Sequence, residues 1–124
     1  MRIASLVLAS IVCATTASAA NLFVSPQGSE SAAGTREAPT TLEKAIATIG
    51  AGDTIWVADG TYAFATQITI DSTNNGKAGA RKCIMAVAGA KPVFDFSKQA
   101  YEGGGSSNPR GIQINGDYWH LRGL

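Results

Sequence analysis

The chain of 124 residues carries ten Lys+Arg against nine Asp+Glu, and the mature stretch balances once Arg2 is set aside with an opening export segment. That balance gives no basic footprint for nucleic acid and no acidic tail, so charge-driven partners are disfavoured. All fourteen glycines follow residue 20, about twice the usual ~7% share, which argues against a helical bundle and for a turn-dense β fold.

Residues 1–20 read as a secretory signal. Met1-Arg2 supplies the positive start, Ile3 to Ala14 the apolar run, and Ala17-Ser18-Ala19 a small-residue cleavage site. A membrane span needs ~20 apolar residues, and this run is shorter. Val12 precedes Cys13, where a lipid-acceptor site calls for a small residue. Cleavage after Ala19 or Ala20 leaves residues 21–124 as one small domain with no membrane segment. Cys83 is then the remaining cysteine, and one thiol forms no internal disulfide. Its setting, Cys83-Ile84-Met85-Ala86-Val87, reads as that of a buried, inert thiol.

Leu22-Phe23-Val24 is the first expected strand, and a turn-rich stretch runs from Ser25 to Pro39. Thr40 and Glu43 form a Thr-x-x-Glu capping box for a helix in which Leu42, Ala45, Ile46 and Ile49 repeat at helical spacing and Gly50 supplies the stop. Brief strands follow: Thr54 to Val57, Thr66 to Ile70, Cys83 to Val87, Val93 to Phe96, Ile112 to Ile114 and Tyr118 to Leu121. Asp59-Gly60, Asn74-Asn75-Gly76 and Gly89-Ala90-Lys91-Pro92 turn the chain between them, and a Gly/Ser-rich loop spans Glu102 to Pro109.

Two architectures suit such strands. Asn75-Gly76 and Asn115-Gly116 fit hairpin turns of an antiparallel sandwich. A parallel β-helix stacks short strands coil upon coil and needs a cap over its first coil. The amphipathic helix supplies that cap and has no place in a small sandwich. The fold expected is therefore all-β: the N-terminal coils of a parallel β-helix capped by one short amphipathic α-helix.

The ordered series Phe23-Val24-Ser25-Pro26-Gln27-Gly28-Ser29, Gly34-Thr35, Pro39, Gly52-Asp53-Thr54-Ile55-Trp56-Val57 and Gly60-Thr61-Tyr62 resembles the start of secreted right-handed parallel β-helix enzymes that act on polysaccharides. Several lyases and glycosidases share that segment. Lys91 to Ser97 and Arg110 to Gly123 resemble pectate lyases of polysaccharide lyase family nine. The resemblance covers the mature chain but only the opening of such an enzyme. About three coils are expected after residue 53 at ~20–25 residues each. With no closing cap after Leu124, the sequence reads as part of a longer protein.

The resemblance implies a monomeric secreted enzyme, extracellular or periplasmic, that cleaves polygalacturonate by β-elimination. Calcium bridges enzyme and substrate carboxylates there, and a Lys removes the C5 proton. In that family the calcium aspartates and catalytic Lys lie on later coils, so no catalytic, cofactor or metal residue is carried over to this chain. A calcium dependence is implied for the longer parent, and this chain alone is expected to be inactive. The alternatives are another β-helix lyase or glycosidase, and a non-catalytic glycan-binding solenoid.

The residues agree that no site is assembled. Asp53, Asp59, Asp71, Asp95, Glu102 and Asp117 are scattered. Asp71 to Gly76 begins like a calcium loop, but Lys82 stands where a bidentate Glu belongs, so a polar turn is expected. His120, the single histidine, is read as structural or at a groove edge, and Asp117 as a turn residue bonding local backbone. Arg81 and Lys82 are read as solvated strand-edge charges rather than glycan contacts. Trp56, Tyr62 and Trp119 are read as core rather than sugar platforms. Gly103-Gly104-Gly105 is a flexible loop with no phosphate-binding Lys after it.

Overall fold

The computed structural model describes residues 19–100 and 110–124. The expected signal segment with Cys13, apart from Ala19 and Ala20, and the loop from Glu102 to Pro109 with Gly103-Gly104-Gly105 fall outside the described residues. The elements run β1 (Asn21–Val24), α1 (Leu42–Thr48), β2 (Thr54–Val57), β3 (Thr61–Ala63), β4 (Ile68–Ile70), β5 (Lys82–Ala86), β6 (Val93–Asp95), β7 (Ile112–Ile114) and β8 (Trp119–Arg122).

Pairing is parallel throughout these strands. One sheet orders β1-β2-β5-β8, a second pairs β3 with β6, and a third pairs β4 with β7. The chain therefore winds as a parallel β-helix. Strands β2, β3 and β4 make one coil, β5, β6 and β7 the next, and β8 opens a third. Thr54 pairs with Cys83 and Ile68 with Ile112, steps well above the ~20–25 residues of a lean coil. The excess lies in the turn 71–81 and the segment 96–111, so two full coils occupy the length expected to hold three.

Inward rows stack through the sheets. Leu22, Ile55, Ile84 and Leu121 stand in register, beside Val24, Val57 and Ala86. Ile55, Ile84, Val24 and Val57 are fully buried. Under β3 and β6, Tyr62, Phe64, Phe94 and Phe96 fill the interior; Phe64 stacks on Phe96 at 5.0 Å and meets Phe94 edge-on at 5.5 Å. Such pairs add directional preference to area burial.

Helix α1 follows β1 where strands of the other two sheets would stand, and packs on β1 and β2. Leu42, Ala45 and Ile46 bury its apolar stripe, together with Ile49 at its C-cap. It is the expected cap, with a corrected start. Thr41 is the N-cap, accepting from the backbone N–H of Lys44 at 3.3 Å, so no capping box joins Thr40 to Glu43. Thr40 instead bridges to Val24 and donates its backbone N–H to Phe23 O at 2.9 Å.

The Asn-Gly turns are not hairpins. They stack one coil on the next. Gly76 N–H donates to Asp117 O (2.9 Å), Asp117 N–H to Asn75 Oδ1 (2.7 Å), and the Trp119 indole to Asn74 O (2.7 Å). Asn74 also donates its amide to Ile46 O (3.0 Å), tying the turn to the cap.

Candidate functional site

Strand parity decides which side chains the surface can use, because successive residues face opposite sides. In the four-stranded sheet the outward rows are Phe23, Trp56, Met85, Arg122 and Asn21, Thr54, Cys83, His120. Neighbouring strands sit ~4.8 Å apart, so each row forms a continuous ladder along the helix axis.

Trp56 is half-buried and its indole N–H donates to Asn21 Oδ1 at 3.0 Å. Arg36, from the loop before α1, lays its guanidinium over the Phe23 ring at 4.9 Å from the centroid. Two adjoining depressions of about 350 and 370 Å³ share Phe23, Arg36, Val87 and Ala88, and Trp56 lines one of them. An aromatic face beside a guanidinium can stack a pyranose ring and pair with a carboxylate.

The structure separates the three aromatics that the sequence treats alike. Tyr62 is core, its hydroxyl donating to Ala58 O at 2.8 Å with Val24 O at 3.1 Å. Burial pushes its pKa up to about 12, against the lowering effect of the Ala58 hydrogen bond. Trp119 occupies an inward row. Trp56 faces out, contrary to the core reading, because it alternates with the buried Ile55 and Val57. Phe23 and Arg36 were not singled out from the sequence; their juxtaposition depends on pairing between distant segments and leaves no local signal.

Three further readings change. Arg81 is exposed as expected, but Lys82 is 8% exposed and shares the inward parity of Ile84. Its amine donates to Asn74 Oδ1 at 2.6 Å and lies 5.7 Å from the Trp119 ring centroid. Cys83 is half-buried in an outward row rather than sealed in the core. His120 stands beside it in register, on the sheet's outer face. Asp117 bonds through its main chain to the preceding coil, not to its own turn.

A calcium site requires several oxygens converging on one point. Asp53 commits its two carboxylate oxygens to the N–H groups of Ala20 and Gly50, at 2.8 and 2.7 Å. Asp59 accepts from Lys91 N–H at 2.7 Å. Asp71 accepts from the hydroxyl and N–H of Thr73, which hold its pKa below the ordinary value. Asp95 is lowered likewise by Ser97. Among the described residues no three His, Cys, Asp or Glu side chains come together to hold a metal. Among the described residues this donor set does not fit calcium, and Asp71 spends its carboxylate on Thr73 within its own turn.

The family described as "Pel9A-like, right handed beta helix region" matches residues 22–124. The chain belongs to this family. It is 46% identical over 115 residues to pectate lyase L of Paenibacillus polymyxa, covering 93% of this chain and 25% of that one. To the pectate disaccharide-lyase of Dickeya chrysanthemi it is 34% identical over 110 residues, covering 89% and 12%. The solved pectate lyase Pel9A superposes with a TM-score of 0.67 at 28% identity, over 86% of this chain and 28% of that one. A rhamnogalacturonan lyase gives 0.64 at 26% identity, over 84% and 27%. The chain spans a quarter or less of the curated relatives' length, and its coils are those of a right-handed β-helix.

Proposed function

We propose that this chain is the helix-capped opening segment of a secreted, monomeric pectate lyase that cleaves polygalacturonate by β-elimination. The observation that carries this reading is the 46% identity to pectate lyase L across 93% of the chain. In the elimination a base removes the proton at C5 beside the uronate carboxyl, a C4=C5 double bond forms, and the glycosidic oxygen leaves C4 without water. The described residues hold neither a positioned base nor a set of calcium ligands. Their part is to start the coil stack and present the Phe23–Trp56–Arg36 surface. Calcium, in this reading, belongs to later coils of the longer enzyme.

The test pairs the 124-residue chain with the full-length protein on polygalacturonate, alginate, chondroitin and rhamnogalacturonan. Expected are unsaturated uronate from polygalacturonate with the full-length protein and none with the 124-residue chain. Turnover of another polymer in preference overturns the substrate. Turnover by the 124-residue chain overturns the division of labour.

A further inference from the structure

Between α1, β4 and the turn that follows β4 lies a cleft of about 530 Å³, in the size range of small-molecule sites. Lys82 lies at its base. Glu43 of α1 and Asp71 of the turn stand on its rim, both exposed, with Thr69 and Asn74 along its walls and the apolar Ile46 beside them. Lys82 projects inward from the four-stranded sheet, whereas Trp56 projects outward, so this cleft is distinct from the aromatic surface.

Lysine is almost never this deeply buried unless paired. Among the described residues the amine's partners, Asn74 Oδ1 and the Trp119 ring, are both uncharged, so an ammonium with N–H groups to spare lines the cleft. That favours an anion. The two rim carboxylates oppose a compact, multiply charged anion such as phosphate, yet they are strong acceptors for hydroxyl groups. Thr69 accepts from Gln67 at 3.0 Å and keeps its own O–H to donate. A ligand with one carboxylate and several hydroxyls meets all of these demands.

We propose that this cleft is a monosaccharide-sized binding site for a hexuronate, with its carboxylate on Lys82 and its ring hydroxyls on Glu43 and Asp71. The choice of galacturonate within that class rests on the proposed pectate lyase reading. Such a site in the cap would let the enzyme hold its polymer at a point that takes no part in cleavage.

The experiment titrates the isotopically labelled 124-residue chain with galacturonate, its methyl ester, galactose and inorganic phosphate, following backbone amide shifts by NMR. Galacturonate is expected to move the amides of residues 69–74 and of Lys82, with the ester and galactose weaker by about tenfold, the loss of one charge-assisted contact. Lys82→Met, which keeps most of the side-chain volume, is expected to abolish the preference for galacturonate over galactose. Glu43→Gln, on the exposed face of α1, preserves the fold and is expected to weaken galacturonate binding. Absence of these shifts overturns the site, as does phosphate binding as well as galacturonate, or either variant binding unchanged. Polygalacturonate cleavage by the full-length protein is scored separately. Turnover without the shifts overturns the cleft alone, and shifts without turnover overturn the lyase reading alone.

Discussion

Thr40 lies between β1 and α1 at 2% exposure, and its hydroxyl has no hydrogen-bond partner among the described residues. A buried hydroxyl left unpaired costs about 1–3 kcal/mol. Thr40→Val keeps the branched shape and removes that group, so urea unfolding is expected to show a gain of about 1 kcal/mol. Tyr62 is the opposite case, a buried hydroxyl with carbonyl partners. Its folded pKa of about 12 lies above the unfolded value near 10. The folded state therefore holds the proton more tightly. The stability this adds is fully present below pH 10 and is lost as pH rises from 10 through about 12. Tyr62→Phe is expected to be less stable below pH 10 and to lose less stability across that window. Neither fate is visible in sequence: Thr40 and Thr41 are adjacent threonines before the same apolar repeat, and the path of the incoming strand decides which one caps. The inward turn of Lys82 does have a signal, since it shares parity with Ile84, but a charged residue at a strand's start was read as solvated.

At the scale of elements, the strands were legible where β-branched or aromatic residues alternate. Thr54 to Val57 and Ile112 to Ile114 match the expected bounds, and the other expected strands shift by one or two residues. Strand β3, Thr61–Ala63, is not among the expected strands because Thr61-Tyr62-Ala63 directly after Gly60 lacks the apolar alternation of Ile112-Gln113-Ile114. Pairing partners were not legible either, since Asn-Gly fits a hairpin turn as well as a stacked solenoid turn. The close approach in those turns demands glycine: a Cβ on Gly76 would stand 2.5 Å from Tyr118 O and 2.9 Å from Lys82 N, both backbone atoms. Gly76→Ala must therefore push two coils apart. A loss of about 1–3 kcal/mol, the range for overpacking, is expected in thermal or denaturant unfolding, and a neutral result would contradict the coil stacking described.

For the whole molecule, one amphipathic helix ahead of many short strands was enough to favour a capped solenoid over a sandwich, and the parallel sheets agree. The number of coils is smaller than expected because each coil is longer: Thr54 pairs with Cys83 and Ile68 with Ile112. The functional surface was legible only in part. Trp56 reads from sequence as core, and it meets Phe23 through strand pairing between distant segments, with Arg36 over the Phe23 ring from the intervening loop. Spacing alone shows the aspartates as scattered; the structure adds that the side chains of Asp53, Asp59, Asp71 and Asp95 each accept from backbone N–H groups near a turn or junction.

The most direct measurement is mass spectrometry of the oligosaccharides released from polygalacturonate by the full-length protein. Elimination leaves a new non-reducing end with a C4=C5 double bond, lighter by one water than the product of hydrolysis. Unsaturated oligogalacturonates are the result expected here. Saturated products of hydrolysis, or intact polymer, would contradict the lyase reading.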